Sequence, residues 1–259
     1  MPIRQGFTVE GGKDLDTSLA FAADHGFDFV ELNMEGQFAR SRVDPGRIRD
    51  CAESHGIDLV VHLPFSIDPA SPHEEVRRGA VEELVACSET AAEMGATVGV
   101  YHAATRTKPH YWPVERVMDA MVETADAVAA RAPDGFTPVA ENLKGPFLDA
   151  GDFETVLDRT DAALCLDTGH AHVSGYGAEW QADFLREHGE RVRHIHLNDT
   201  RVERTNDEHL PVGVGDFDFE TVADALRESE WSGTCTHEVF TDDLAPVPYG
   251  KETFDRLLA

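Results

Sequence analysis

Several short segments place a metal-ligating or acid–base side chain just past a run of apolar residues. They are His62 in VVHLPF, His102 in GVYHAA, Glu141 in VAENLKG, Asp167 and His170 in CLDTGHAHVSG, His196 in HIHLND and Glu238 in THEVF. A single inward His or Glu is most often a core group with its hydrogen bonds met. A set converging on one place is different, because buried carboxylates and imidazoles are costly unless hydrogen-bonded or neutralised. Divalent cations are the usual neutraliser. Nitrogen and oxygen ligands without thiolate suit zinc, manganese or iron.

Convergence depends on the elements that carry these residues. Eight strand-like stretches, at 3–9, 27–33, 57–65, 96–102, 137–142, 162–167, 192–198 and 233–239, alternate with helix-like ones. The stretch 75–94 is a clear helix, with Val76, Ala80, Leu84, Cys87 and Ala91 on one stripe. Gly26, Gly56 and Gly95 stand between a helix and the next strand, where a C-terminal cap wants positive φ. The pattern predicts an α/β chain forming a single (β/α)8 TIM barrel, one domain over 1–259. An open doubly wound sheet is the runner-up, weakened by the lack of G-x-G-x-x-G after the first strand. A barrel builds its site at the C-terminal ends of its strands. Period-two alternation puts Val60, Val100, Val139, Cys165 and Thr236 on the face of His62, His102, Glu141, Asp167 and Glu238. Those five then point into the mouth. His194 shares the face of His196 but lies deeper, in the core or supporting a ligand, whereas His172 and His237 should face away.

Of 259 residues, 41% are hydrophobic and 27% charged, a folding composition. No apolar run approaches a membrane span, and Met1-Pro2-Ile3-Arg4 does not open a signal peptide, so a cytoplasmic protein is expected. Cys51, Cys87, Cys165 and Cys235 form no C-x-x-C pair. That argues against a disulfide framework or thiolate zinc site, and for buried free thiols. The net charge of −27, with 18 Arg and only 4 Lys, is a halophilic composition. In roughly molar salt the Debye length is about 3 Å, so net charge does not exclude DNA. Lys13, Lys108, Lys144 and Lys251 all fall in loops after strands. Arg106, Lys108, His110, Tyr111 and Trp112 form a basic and aromatic patch beside His102, and 37–42 (QFARSR) follows the second strand. Gln37, Arg40, Arg106, Lys108, Trp112 and Lys144 are therefore candidates to bind a phosphate-bearing substrate. No obligate protein partner is evident.

Together these segments resemble the xylose-isomerase-like barrel superfamily over essentially the whole chain. Its sugar isomerases and epimerases typically hold one metal on Glu, Asp, His and Glu, which match Glu141, Asp167, His196 and Glu238. In its metal-ligand set the chain most resembles endonuclease IV, which adds two early histidines, a His three after the Asp, and a D-x-H element. His62, His102, His170 and Asp207-Glu208-His209 match these. The resemblance implies up to three zinc or manganese ions. One would lie on His62, His102 and Glu141, a second on Glu141, Asp167, His196 and Glu238, and a third on His170, Asp207 and His209. It further implies hydrolysis of DNA 5′ to an abasic site by metal-activated hydroxide. The alternative is a sugar or sugar-phosphate isomerase or epimerase using Glu141 and Glu238 as acid and base. GFDFVEL, with Glu31 ending the second strand, is equally at home there.

Overall fold

A computed structural model describes residues 3–108, 110–145, 147–201 and 207–259. The strands are β1 (Arg4–Val9), β2 (Phe29–Asn33), β3 (Asp58–His62), β4 (Val98–Tyr101), β5 (Thr137–Glu141), β6 (Ala163–Asp167), β7 (Val192–Leu197) and β8 (Thr234–His237). They pair in parallel in chain order, and β8 closes on β1 to form the expected barrel. Strands β3 and β4 end sooner than the sequence predicts. Past His62 the chain keeps only a last bond, Leu63 N–H to Val100 O at 2.8 Å, before turning outward.

Side-chain alternation divides the strand residues between two cores. Phe29, Val60, Val98, Val100, Val139 and Cys165 fill the barrel. Val61, Leu166, Ile195 and Leu197 face the helices. Gly6 on β1 makes room for the Phe29 ring, which a Cβ at that position would strike.

The outer layer consists of α1 (Leu15–Asp24), α2 (Pro45–His55), α3 (Glu74–Glu93), α4 (Val114–Ala130), α5 (Phe153–Arg159), α6 (Thr168–Val173), α7 (Ala178–His188), α8 (Phe219–Glu228) and α9 (Val247–Leu258). Helix α2 shows why these segments start and stop where they do. The Asp44 side chain caps its first turn, Pro45 supplies a ready-set φ, and Gly56 ends it at φ 67°. Gly26 and Gly95 adopt positive φ in the same role. Along α3 the stripe Ala80, Leu84, Cys87 and Ala91 is buried as predicted. Val76 is not: it sits in the first turn, ahead of the buried stripe, and is half exposed. Among the cysteines Cys87, Cys165 and Cys235 are buried free thiols, while Cys51 departs from expectation and is only partly covered. Among the described residues no helix is long and apolar enough to cross a membrane.

Candidate metal centre

The C-terminal rim gathers the nine predicted ligand-type residues into three groups. His62 ends β3, His102 follows β4, and both Nε2 atoms approach Glu141 Oε2 at the end of β5, at 3.3 and 2.9 Å. The other oxygen, Glu141 Oε1, lies 2.8 Å from His196 Nδ1 on β7. One carboxylate thus faces two groups. Around His196 stand Asp167 Oδ2 at 3.8 Å and Glu238 Oε2 at 3.6 Å. In the third group Asp207 Oδ2 lies 3.1 Å from His170 Nε2 and 2.6 Å from His209 Nε2. His62, His102 and Glu141 offer ligand atoms close enough for one ion. So do Glu141, Asp167, His196 and Glu238, and so do His170, Asp207 and His209.

Four of the imidazoles are held from behind. His62 Nδ1 is 2.8 Å from Leu63 O, His170 Nδ1 3.0 Å from Asn142 O, and His209 Nδ1 3.2 Å from Glu238 O. His196 turns Nε2 to the Glu31 carboxylate at 3.2 Å. In each ring the other nitrogen faces the cluster, the arrangement that fixes a ligand histidine's tautomer and orientation. Asp167 is braced as well. Its Oδ1 caps α6 through His170 N–H at 2.6 Å, and its Oδ2 accepts Asn198 Nδ2–H at 2.8 Å.

The electrostatics call for positive charge. Burial, with the charges of Glu238 and Glu141 and against that of His170, pushes the Asp167 carboxyl up to about 7. Burial opposes charge on His209, yet Asp207 and Glu238 hold it up at about 11. Asp207 Oδ1 is buried with no hydrogen-bond partner, and Glu238 Oε2 faces the His209 imidazole, 3.2 Å from its Nδ1. A donor set of nitrogen and oxygen with such an unmet oxygen fits divalent cations.

The centre opens into a cavity of about 250 Å³, lined in part by His62, His102, Glu141, Lys144, Glu238 and Phe240. Of the six residues expected to bind substrate, Lys144 reaches this wall, its Nζ 3.5 Å from Asp207 Oδ2. Arg106 stands beside it, its Nη2 donating to Phe65 O at 3.2 Å. The rest are engaged elsewhere or outside the wall. Gln37 donates to Lys13 O at 2.6 Å, and Arg40 pairs with Glu83 on α3 at 2.8 Å. Trp112 packs its ring against His73, and Lys108 is exposed. His172 packs on Phe217, and His237 bonds Gln5, so both face away from the cluster as predicted.

Sequence reasoning missed part of the wall. Thr8, Glu10 and Asn33 come from the first two strands and their ends, which carry no ligand. Phe65 and Phe240, both exposed, flank the mouth, and Phe240 stacks on His209 at 3.7 Å. The available signal was position: each aromatic lies two or three residues beyond a ligand-type residue.

A sequence model of the family described as xylose isomerase-like TIM barrel matches residues 19–258. An uncharacterised protein of Methanocaldococcus jannaschii, MJ1311, is 28% identical, covering 87% of this chain and 79% of its own. A probable endonuclease 4 of Akkermansia muciniphila is 26% identical, covering 88% and 83%. The crystal structure of a D-tagatose 3-epimerase-like protein superposes with a TM-score of 0.82 at 25% identity, covering 99% and 97%.

Proposed function

The chain belongs to the xylose isomerase-like TIM barrel family, and on that premise we propose that it is a metal-dependent phosphodiester hydrolase incising DNA 5′ to abasic sites. One observation carries this reading: the third group, His170, Asp207 and His209, assembles beside the other two with an unmet buried oxygen. A single-metal isomerase has no use for that group.

Bound divalent ions supply Lewis acidity and activate water at neutral pH. The chain's own residues do the rest. Glu141 holds the first two groups in fixed relation through its two oxygens. Lys144 stands at the mouth, where its ammonium can take a phosphate oxygen. Phe65 and Phe240 offer apolar faces to a sugar or base, while Thr8 and Asn33 present buried oxygens without partners for sugar hydroxyls.

A second reading, a metal-dependent sugar or sugar-phosphate epimerase, is favoured by the likeness to the D-tagatose 3-epimerase-like protein. In that reading Glu141 and Glu238, which line the same small cavity, move the proton. The assay is incision of a duplex carrying one abasic analogue, in high potassium chloride. Incision should fall about 100-fold or more in Glu238→Gln and in His209→Ala, the several kcal/mol expected when a hydrolytic metal loses a ligand. An intact duplex together with interconverted ketoses, indifferent to His209→Ala, transfers the assignment to the epimerase.

A further inference from the structure

A separate cluster lies on the outer helical layer. Cys51 and His55 are one turn apart on α2, four residues that bring both side chains to one face. Asp16, in the first turn of α1, meets them: its Oδ1 is 2.8 Å from His55 Nε2 and 3.8 Å from Cys51 Sγ. One ligand atom from each of the three lies within 4.8 Å of the others. Tetrahedral zinc, with bonds of about 2.3 Å to sulfur and about 2.0 Å to nitrogen or oxygen, sets its ligand atoms roughly 3.3–3.6 Å apart. The Asp16–His55 and Asp16–Cys51 separations therefore lie within about half an ångström of that range, and Cys51 and His55 would close to it from at most 4.8 Å.

Two further features favour a cation here. Burial and then the charges of Asp16 and Asp14 push the Cys51 thiol up from its ordinary value. Burial attracts no cation, but the two carboxylates do, and a dication would take the proton's place on sulfur. The cluster is also reachable, since Asp16 and Cys51 line an open cavity of about 640 Å³ between the loop after β1 and α2.

We propose that Asp16, Cys51 and His55 form a peripheral zinc site that ties α1 to α2, with water at the fourth position. A search for C-x-x-C misses it because the ligands are a C-x-x-x-H pair on one helix and an aspartate from another.

The test uses the chelator-stripped full chain titrated with cobalt(II), which reports thiolate ligation by a near-ultraviolet charge-transfer band. The nine barrel ligands offer only nitrogen and oxygen, but Cys165 lies beside His194 and His196, so loss of the band in Cys51→Ser is what isolates the peripheral site. The band's final intensity should match one thiolate-bound cobalt per chain in the wild type, whatever the barrel centre takes up; the band should vanish in Cys51→Ser and need at least tenfold more cobalt in His55→Ala. Zinc should also raise the Tm of the wild type more than that of Cys51→Ser. No thiolate band at saturation overturns the proposal. So does a band that survives Cys51→Ser, which would put the metal on Cys165 beside His194 and His196.

Discussion

Glu31 is a fully buried carboxylate whose partners are all side chains of the barrel interior. It accepts Thr236 Oγ1–H at 2.6 Å and faces Nε2 of both His194 and His196 at 3.2 Å. Burial opposes its charge, but the two imidazoles prevail and hold it well below the ordinary carboxyl range. The consequence falls on His196: with Nε2 engaged, Nδ1 must point at Glu141 and Glu238. Glu31→Gln keeps the shape and removes the charge. It should weaken metal binding about 10–100-fold, as loss of such supporting partners does, read by competition with a chelating dye. Unchanged affinity would mean that packing alone orients His196. The sequence showed Glu31 at a strand end and His194 on the inward face, since alternation needs only neighbours in the chain. It could not show that they meet, because 163 residues separate them. The same limit applies to Arg40. Its charge was legible, but Glu83, which occupies it, lies 43 residues away.

At the level of elements, the segment between β7 and α8 brings Asp207 and His209 to His170. Asp199, buried just past β7, organises it. Its Oδ1 accepts N–H from Thr200 at 2.8 Å and Phe217 at 3.1 Å; its Oδ2 accepts N–H from Gly213 and Gly215, both at 2.9 Å. Its backbone pairs with Leu210 in both directions, at 2.8 and 2.9 Å. The D-x-H element could be recognised from residue types, but its attachment could not, since Asp199 acts through backbone groups of mixed residues. Asp199→Ala strands four backbone donors, two of them buried, and should cost about 3 kcal/mol in urea unfolding. The third metal group should suffer first, so bound zinc should drop by one equivalent while the other two persist. A loss of stability with full metal content would show that the segment holds its shape without this carboxylate. By contrast, the barrel was legible throughout, because eight period-two strands, their capping glycines and the α3 stripe are local patterns. Strand ends were blurred, where ladder bonds stop before the apolar run does; Val76 fell outside the buried stripe, and Lys251, expected in a loop, lies inside α9.

Over the whole molecule, acidic residues exceed basic ones by 27, and several of the described arginines pair between elements. Arg77 on α3 reaches Glu123 on α4 at 2.9 Å, and Arg131 at the end of α4 reaches Glu82 on α3 at 2.6 Å. Arg159 on α5 pairs with Asp119 on α4, and Arg186 on α7 with Glu228 on α8, each at 2.9 Å. Exposed pairs, as the last three of these are, are worth about 0–1 kcal/mol each, and salt weakens them. Salt also screens the repulsion among the unpaired carboxylates, which act over the entire surface. The two effects have opposite signs, and the excess of acid decides between them: most carboxylates have no cation to lose, while all gain from a Debye length that shrinks from about 10 Å at 0.1 M to about 3 Å at 1 M. Thermal unfolding of the metal-loaded protein should therefore shift upward steadily from 0.1 M to about 2 M potassium chloride. A Tm that falls over this range would mean that the arginine pairs outweigh the net charge, and would remove the reason for assaying incision only in high salt.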